Sequence, residues 1–503
     1  MSIPFKSSPV EFNQRLLFPP NIFDLLPKDH ECFLYADLFK QIDTSRLECL
    51  YSVKGQNAYH PKLIVSILIF AYSQGVFSSR KIQKRCNEDL TFMYIAQMNC
   101  PNFRVLSDFR KDHGEFFQDC FKQTVKLALE LKLASLGHIS MDGTKLKANT
   151  SKHKAMSYGR LKEREQALCA EIDDLIKKAK RCDQEEDKVY KEKTGYEVPE
   201  DLTFKQDRLA KIQAAKQALE EREALLNTGK AIGDKKQISF ADTEARIMGK
   251  KGCFDYAYNA QISVDADLQI IVGQHVSQHA NDKQEVEPAL QALKDTVGRI
   301  PDKTRVDNGY WSGSNLQAFE QRDIDAYIAT DKGEKSHKTA LDTSNRKLVK
   351  ADFEYQEADN IFICPNGQTL AMISESKDGS RVYQGRAEVC DVCPLKSRCC
   401  ESKKGHARTI NADNKEPLRQ DMRRKMETPL AQAVYKQRKV IVEPVFGQIK
   451  NNGFRCFSVR GKAKVAGEFS MVCTAHNFKK IVKAILTGLI HPEFENYATN
   501  TAT

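Results

Sequence analysis

The chain has 503 residues, a net charge of +11 and 15 cysteines, with 41% hydrophobic and 29% charged residues. Such a length exceeds one simple core and implies two to four domains, while the basic excess points to an anionic partner, most often nucleic acid. No charged-then-apolar leader is seen at the start, and the longest apolar run, "LIVSILIFAY", is far short of the ~20 residues of a membrane span, so a cytoplasmic, nucleoid-associated protein with reduced thiols is expected.

Residues 1–134 are expected to form a helical N-terminal DNA-binding domain. "PKLIVSILIFAYSQG" opens on proline and closes on glycine, the punctuation of a helix, and is apolar enough to be buried. Farther on, Ser78 or Ser79 caps one helix. Pro101–Asn102 breaks the pattern, and Ser107 caps another helix that carries Arg110 and Lys111. Short helices with basic faces suit a helix-turn-helix-like DNA contact, and equally a plain bundle with solvated lysines.

"LGHISMDGTKLKA" reads as a strand ending at Asp142, within a first core segment of residues 135–158. Composition then changes. Leu161, Leu168, Leu175 and Cys182 recur every seven residues, with Ile172 and Ala179 between them. Leu209, Ile212, Leu219 and Leu226 form a second run beyond "KTGYEVPEDL". This predicts an antiparallel helical hairpin inserted at residues 159–232. Its charge is nearly balanced, which suits a spacer or protein-contact arm.

The core resumes over residues 233–347. "DYAYNAQISVDADLQIIVGQHVSQ" predicts a β-hairpin about Asp265–Ala266–Asp267. A helix over Asp282–Gly298, a strand at "TRVDNG", a helix at "SNLQAFEQR" and a strand at "IDAYIAT" follow. A hairpin followed by alternating helix and strand defines the α/β class, with a mixed sheet flanked by helices. Residues 348–412 form a Cys-rich insertion. Residues 413–503 complete the core with basic C-terminal helices and a polar tail.

Asp142 and Asp307 each end a strand, and Glu443 lies in the helical stretch "YKQRKVIVEPVFGQIK". Taken alone, Asp142–Gly143 is an ordinary turn, Asp307–Asn308–Gly309 a strand end and turn, and Glu443 a solvated helix residue. Together they offer hard oxygen ligands for Mg²⁺ or Mn²⁺. Two such ions would activate a nucleophilic oxygen and stabilise the leaving oxygen of a phosphodiester.

These segments resemble the DDE transposases of bacterial insertion sequences, in the broad four/five-like group. "AYSQGVFSSRKIQKRCNEDLTFMYIA" is similar to the N-terminal helical domain, "MDGTKLKAN" to the first catalytic motif and "VDNGYWS" to the second. Tyr435, Arg438, Glu443 and Lys450 resemble the third. The resemblance implies an RNase H-like core in which Asp142, Asp307 and Glu443 bind two divalent metals. It also implies that Tyr435, Arg438 and Lys450 handle DNA near the cleaved end. The family pattern places three residues between the arginine and the glutamate, where this chain has four, and Lys439 stands at the expected spacing. On a continuous helix at roughly 100° per residue, Glu443 and Lys450 share a face and Arg438 falls outside it, which favours Lys439.

The expected activity is cleavage of element ends by metal-dependent hydrolysis, followed by attack of the 3′-OH on target DNA. The partners are double-stranded DNA of the terminal inverted repeats and the target, and a second copy of the chain in a synaptic homodimer. A nuclease without strand transfer and a catalytically idle DNA-binding regulator are the alternatives. Trp311, with Tyr310, either stacks on an unpaired base or packs in the core. Cys364, Cys390, Cys393 and Cys399, with Cys400 as an alternative, have spacing for a structural Zn²⁺ or are buried free thiols. His275, His279 and Asp282 cluster in sequence but read as strand and turn polar residues.

Overall fold

Burial of apolar faces divides the chain into two units, Met1–Phe109 with Phe478–Thr503, and Arg110–Asn477. The computed structural model describes residues 21–52, 58–150, 155–186, 200–226, 231–250, 252–330, 347–377, 379–400 and 405–491. The opening residues 1–20 and the polar tail from residue 492 lie outside them.

In the first unit the apolar run forms the helix Pro61–Ser73, whose Ile64, Ile67 and Leu68 are almost inaccessible. His60 caps it, its Nδ1 accepting from the Lys62 amide at 3.2 Å, and Pro61 needs no amide partner at the first turn. Rings from two other segments meet it, with Tyr35 5.2 Å and Phe92 5.0 Å from Phe70, and Phe39 packs 5.4 Å from Phe478 in the same unit. This is a buried core helix, and no helix among the described residues is long and apolar enough to cross a membrane. Ser78 precedes the helix Ser79–Glu88 as expected. The expected cap at Ser107 is corrected: the helix there is Phe103–Asp112, and Asn102 Oδ1 accepts from the Arg104 amide at 2.8 Å, placing Ser107 inside it.

The second unit is built on a six-stranded mixed sheet. Its strands are β1 (His138–Lys147), β2 (Arg246–Lys250), β3 (Cys253–Asp265), β4 (Ile271–Ser277), β5 (Lys303–Val306) and β6 (Asp325–Ile328). β3 runs antiparallel to β1 on one side and to β2 and β4 on the other, whereas β1, β5 and β6 are mutually parallel. The β3–β4 hairpin turns at Asp265, whose carboxylate accepts from the amides of Ser135, Leu136 and Asp267. The helices Val286–Val297 and Gly313–Glu320 link β4 to β5 and β5 to β6. Antiparallel strands followed by parallel ones, centred on β1, give the RNase H-like arrangement.

Two insertions have cores of their own. The helices Tyr158–Glu186 and Glu200–Leu226 pair antiparallel, with Glu165 bonded to Lys216 and Glu171 to Lys205. Leu161, Leu168, Ile212 and Leu219 form their seam together with Ile238. A short ribbon, Ala155–Ser157 against Gln237–Ser239, closes the base of this arm. The connecting residues 187–199 and the side chains of Ala179, Cys182 and Leu226 lie outside the described residues. Residues 354–413 carry a five-stranded antiparallel sheet around Phe362, Leu370 and Tyr383.

The helices Gly114–Glu130 and Lys462–Leu486 touch backbone to backbone, and a Cβ on Gly467 would lie 2.4 Å from Gly114 Cα. Arg110, expected on a basic outer face, is instead buried beside Glu468 at 4.0 Å. Replacing Gly467 by Ala is expected to destabilise the fold by roughly 1–3 kcal/mol through overpacking. Gly447→Ala, whose Cβ meets nothing within 4 Å, is expected to be neutral or stabilising in the same calorimetric comparison.

Candidate active site

Asp142 does not end its strand. β1 continues to Lys147 because Gly143 to Lys147 pair with Gln261 down to Ala257 on β3, so Asp142–Gly143 is a strand step and not a turn. On the other side β1 pairs in parallel with β5, the last register step being Ser140 with Arg305. Two residues farther along each strand stand Asp142 and Asp307. Neighbouring strands are about 4.8 Å apart, and a step of two returns to the same face, so the two carboxylates project side by side. Asp307 lies just past the end of β5 and turns the chain, its Oδ1 accepting from the Gly309 amide at 2.8 Å.

The third segment is not one continuous helix. It is Pro429–Lys436, Arg438–Ile441 and Glu443–Asn451, broken at Gln437 and Val442. The first break is held by Arg305, a fully buried guanidinium that donates to Gln437 Oε1 and His138 Nδ1, each at 2.9 Å. These breaks overturn the preference for Lys439. A continuous helical wheel does not apply, and Arg438 turns inward while Lys439 remains exposed. Arg438 Nη2 donates to Glu443 Oε1 at 2.8 Å, and its Nη1 lies 3.7 Å from Asp142 Oδ2. Tyr435 is in electrostatic reach of Arg438, Asp307 and Glu443. Lys450 Nζ bonds Thr144 Oγ1 at 2.5 Å, on the Asp142 face of β1.

The electrostatics show why a cation belongs here. Burial pushes Asp142 up to about 7; Arg438 opposes the shift, and Asp307 and Asp282 add to it. Asp307 is also raised, chiefly by burial, against the pull of Arg438. Burial alone would lower Arg438, but Asp142, Tyr435, Asp307 and Glu443 reverse this and raise it. One guanidinium therefore faces all three carboxylates and offsets the burial of Asp142 and Asp307 only in part. Among the described residues no three His, Cys, Asp or Glu side chains form a group able to hold a metal as they stand. Between Asp142 and Glu443 the position is taken by Arg438. The donor set, carboxylate oxygens around a buried cation, suits hard divalent ions.

Trp311 is buried, with Arg423 6.0 Å from its ring centroid, and Tyr310 is inaccessible, its hydroxyl bonded to Gln261. Both pack in the core, so stacking of Trp311 on a base finds no surface here. Cys364, Cys390, Cys393, Cys399 and Cys400 line one cavity of about 170 Å³. Burial raises Cys399 to about 11, with Cys390, Cys400 and Cys364 adding to the shift. Among the described residues these thiols, though gathered at one cavity, form no group that holds a metal as they stand. His275 and His279 serve Glu285 and not Asp282. Burial would raise the Glu285 pKa, but hydrogen bonds from His275, Ser277 and His279, each at 2.7 Å, hold it down at about 2.

Asp282, in sequence a polar turn residue, stands close enough to Asp142 and Asp307 to raise both. Its Oδ1 accepts from Asn259 and Gln261, and Lys145 lies 3.4 Å away. Two buried amides at alternate positions of a strand were the available signal, because each needs a polar partner.

A family model described as "Transposase DDE domain" matches residues 363–482, which include Tyr435, Arg438, Glu443 and Lys450. A second, "Transposase domain (DUF772)", matches residues 20–112. No curated protein matches the sequence. Among solved structures, a piggyBac transposase synaptic complex with hairpin DNA aligns at 9% identity over 93% of this chain and 79% of that one, with a TM-score of 0.32.

The raised Asp142 pKa gives a signed prediction. Its contribution to folding stability is present below the unfolded value of 3.8 and is lost as pH rises through about 7. Asp142→Asn should therefore stabilise the chelator-treated protein at pH 8, by no more than about 4 kcal/mol at ~1.4 kcal/mol per pH unit. The gain should shrink to nothing near pH 4. Thermal unfolding in buffers across this range measures it.

Proposed function

We propose that this chain, whose two domain matches are consistent with an insertion-sequence DDE transposase, binds the ends of its element as double-stranded DNA, hydrolyses a phosphodiester there and joins the freed 3′-OH to target DNA. The observation that carries the reading is the pair of parallel-strand aspartates, Asp142 and Asp307, linked to Glu443 through one buried arginine. Transposases of this family generally use divalent metal ions. Asp142, Asp307 and Glu443 would hold them, as two Mg²⁺ or Mn²⁺. When bound, such ions supply Lewis-acid activation of the attacking oxygen and neutralise charge on the phosphate.

The remaining roles fall to the chain's own cations. Arg438 and Lys450 approach the same face of β1 and hold the phosphate of the cleaved strand by charge-assisted hydrogen bonds. Lys439, being exposed, adds to the attractive field without touching the scissile group. The helix Ser79–Glu88 presents Arg80, Lys81 and Lys84 outward and is the proposed helix-turn-helix-like contact. Two copies pair the two ends as a homodimer, and the work is done among nucleoid DNA.

Asp307→Asn is expected to slow Mg²⁺-dependent end cleavage at least about 100-fold, more than loss of an outer-shell partner does, with end binding in chelator retained. Cleavage at the normal rate would refute the assignment. A pre-cut end that is never joined to target would leave the protein a nuclease. Arg438→Ala is expected to cost roughly 10-fold or more in cleavage, and Lys439→Ala only a salt-sensitive loss of DNA affinity. Single-turnover rates and binding titrations at two salt concentrations separate them.

A further inference from the structure

Each aspartate of the pair is closely followed by glycine: Gly143 directly after Asp142, and Gly309 two residues after Asp307. Neither glycine has a positive φ, so the backbone does not require it. Space does. A Cβ on Gly143 would lie 2.1 Å from Gln261 Nε2 and 2.9 Å from Asp282 Oδ1. A Cβ on Gly309 would lie 2.9 Å from Asp307 Oδ1 and 3.3 Å from Asp282 Oδ2. The first space is filled by the Gln261 amide and the second by the carboxylate of Asp307 itself, and Asp282 borders both.

Asp282 comes from the segment between β4 and the helix Val286–Val297, and its side chain is only 16% exposed. Its Oδ1 accepts from Asn259 Nδ2 at 2.7 Å and Gln261 Nε2 at 2.6 Å, with Lys145 Nζ at 3.4 Å. Gln261 also accepts from the Tyr310 hydroxyl. Asn315 Nδ2 reaches the main-chain oxygens of Asp282 at 3.2 Å and Tyr310 at 2.8 Å. One carboxylate therefore ties together β1 through Lys145, β3 through Asn259 and Gln261, and the turn after Asp307 through Tyr310. Lys145 and Gly143 alternate with Asp142 along β1, so this network lies behind the face that carries Asp142.

We propose that Asp282 is a positioning residue of the cleavage site, setting the spacing of Asp142 and Asp307 from behind β1. The proposal rests on the reading of those two aspartates as the reacting carboxylates. An aspartate suits the position because three donors converge on one oxygen. An asparagine would present either a weaker acceptor or a further donor to them. A mere anchor would change stability alone. A positioning residue changes how the carboxylates take up a cation and how fast they act, while DNA affinity is unchanged.

The test uses the full chain as wild type, Asp282→Asn, Tyr310→Phe and, as reference, Asp307→Asn. Free Mn²⁺ is titrated by electron paramagnetic resonance without DNA. Single-turnover cleavage of an end duplex, duplex affinity in chelator and thermal unfolding are measured alongside. Asp282→Asn is expected to weaken Mn²⁺ binding about 10-fold and slow cleavage about 10- to 100-fold, with duplex affinity unchanged. Tyr310→Phe, which removes only the hydroxyl held by Gln261, is expected to move both in the same direction by about 3-fold or more. Wild-type Mn²⁺ binding and cleavage in folded Asp282→Asn overturn the proposal. If that variant does not fold, Tyr310→Phe decides it on the same two readouts, and no change overturns it. Undiminished cleavage by Asp307→Asn is a separate result, which removes the functional reading itself.

Discussion

Two carboxylates held largely out of water, Asp142 and Asp307, cannot both remain charged without a cation beside them, and the site is arranged around that constraint. In this structure Arg438 meets it, bonding Glu443 directly and facing Asp142 across 3.7 Å. Burying a guanidinium is itself costly unless its charge is answered. Each side of the pair therefore needs the other. The two helix breaks that bring Arg438 inward follow from the same requirement, since an unbroken helix would carry it elsewhere. Arg305 secures the first break through Gln437 and is itself an interior cation two residues from Asp307. The net basic balance of the chain thus acts locally as well as at a distance.

The sheet supplies the geometry that charge alone does not. Parallel pairing of β1 with β5 sets Asp142 and Asp307 abreast, and antiparallel pairing with β3 carries β1 straight past Asp142. One face of β1 carries Asp142 and, at Thr144, receives Lys450. The opposite face, left open at Gly143, is filled by Gln261 and Asp282. The His275–Glu285–His279 cluster lies three residues beyond Asp282 and fixes the start of the helix that follows, so the Asp282 segment is held at its far end too.

Much of this was legible in the residues. The α/β order, the β3–β4 hairpin, the heptad arm and the buried apolar helix all follow from periodicity and from turn chemistry. The resemblance named the three carboxylates, and the sheet register shows why two of them meet. What periodicity could not give was any feature set by distant partners. The length of β1 beyond Asp142 depends on β3, which begins more than a hundred residues later. The choice of Arg438 over Lys439 depends on a helix break made by Arg305. Asp282 looked like a turn residue because its donors lie on two other strands. The strands at residues 354–413 leave little periodic signal because they are short and half exposed.

The helical arm has a consequence for the sheet that carries it. Its chain leaves and returns at Ala155–Ser157 and Gln237–Ser239, two strands paired side by side. A detour whose two ends stay one strand-width apart exerts no leverage on what lies before and after it. The arm is in effect a cassette. Whole turns could be added to or taken from its outer end in register, and the distance from Asp142 to Asp307 would be indifferent to the change. The reach of the arm is therefore free to follow its own contacts, while the chemistry next to β1 stays fixed.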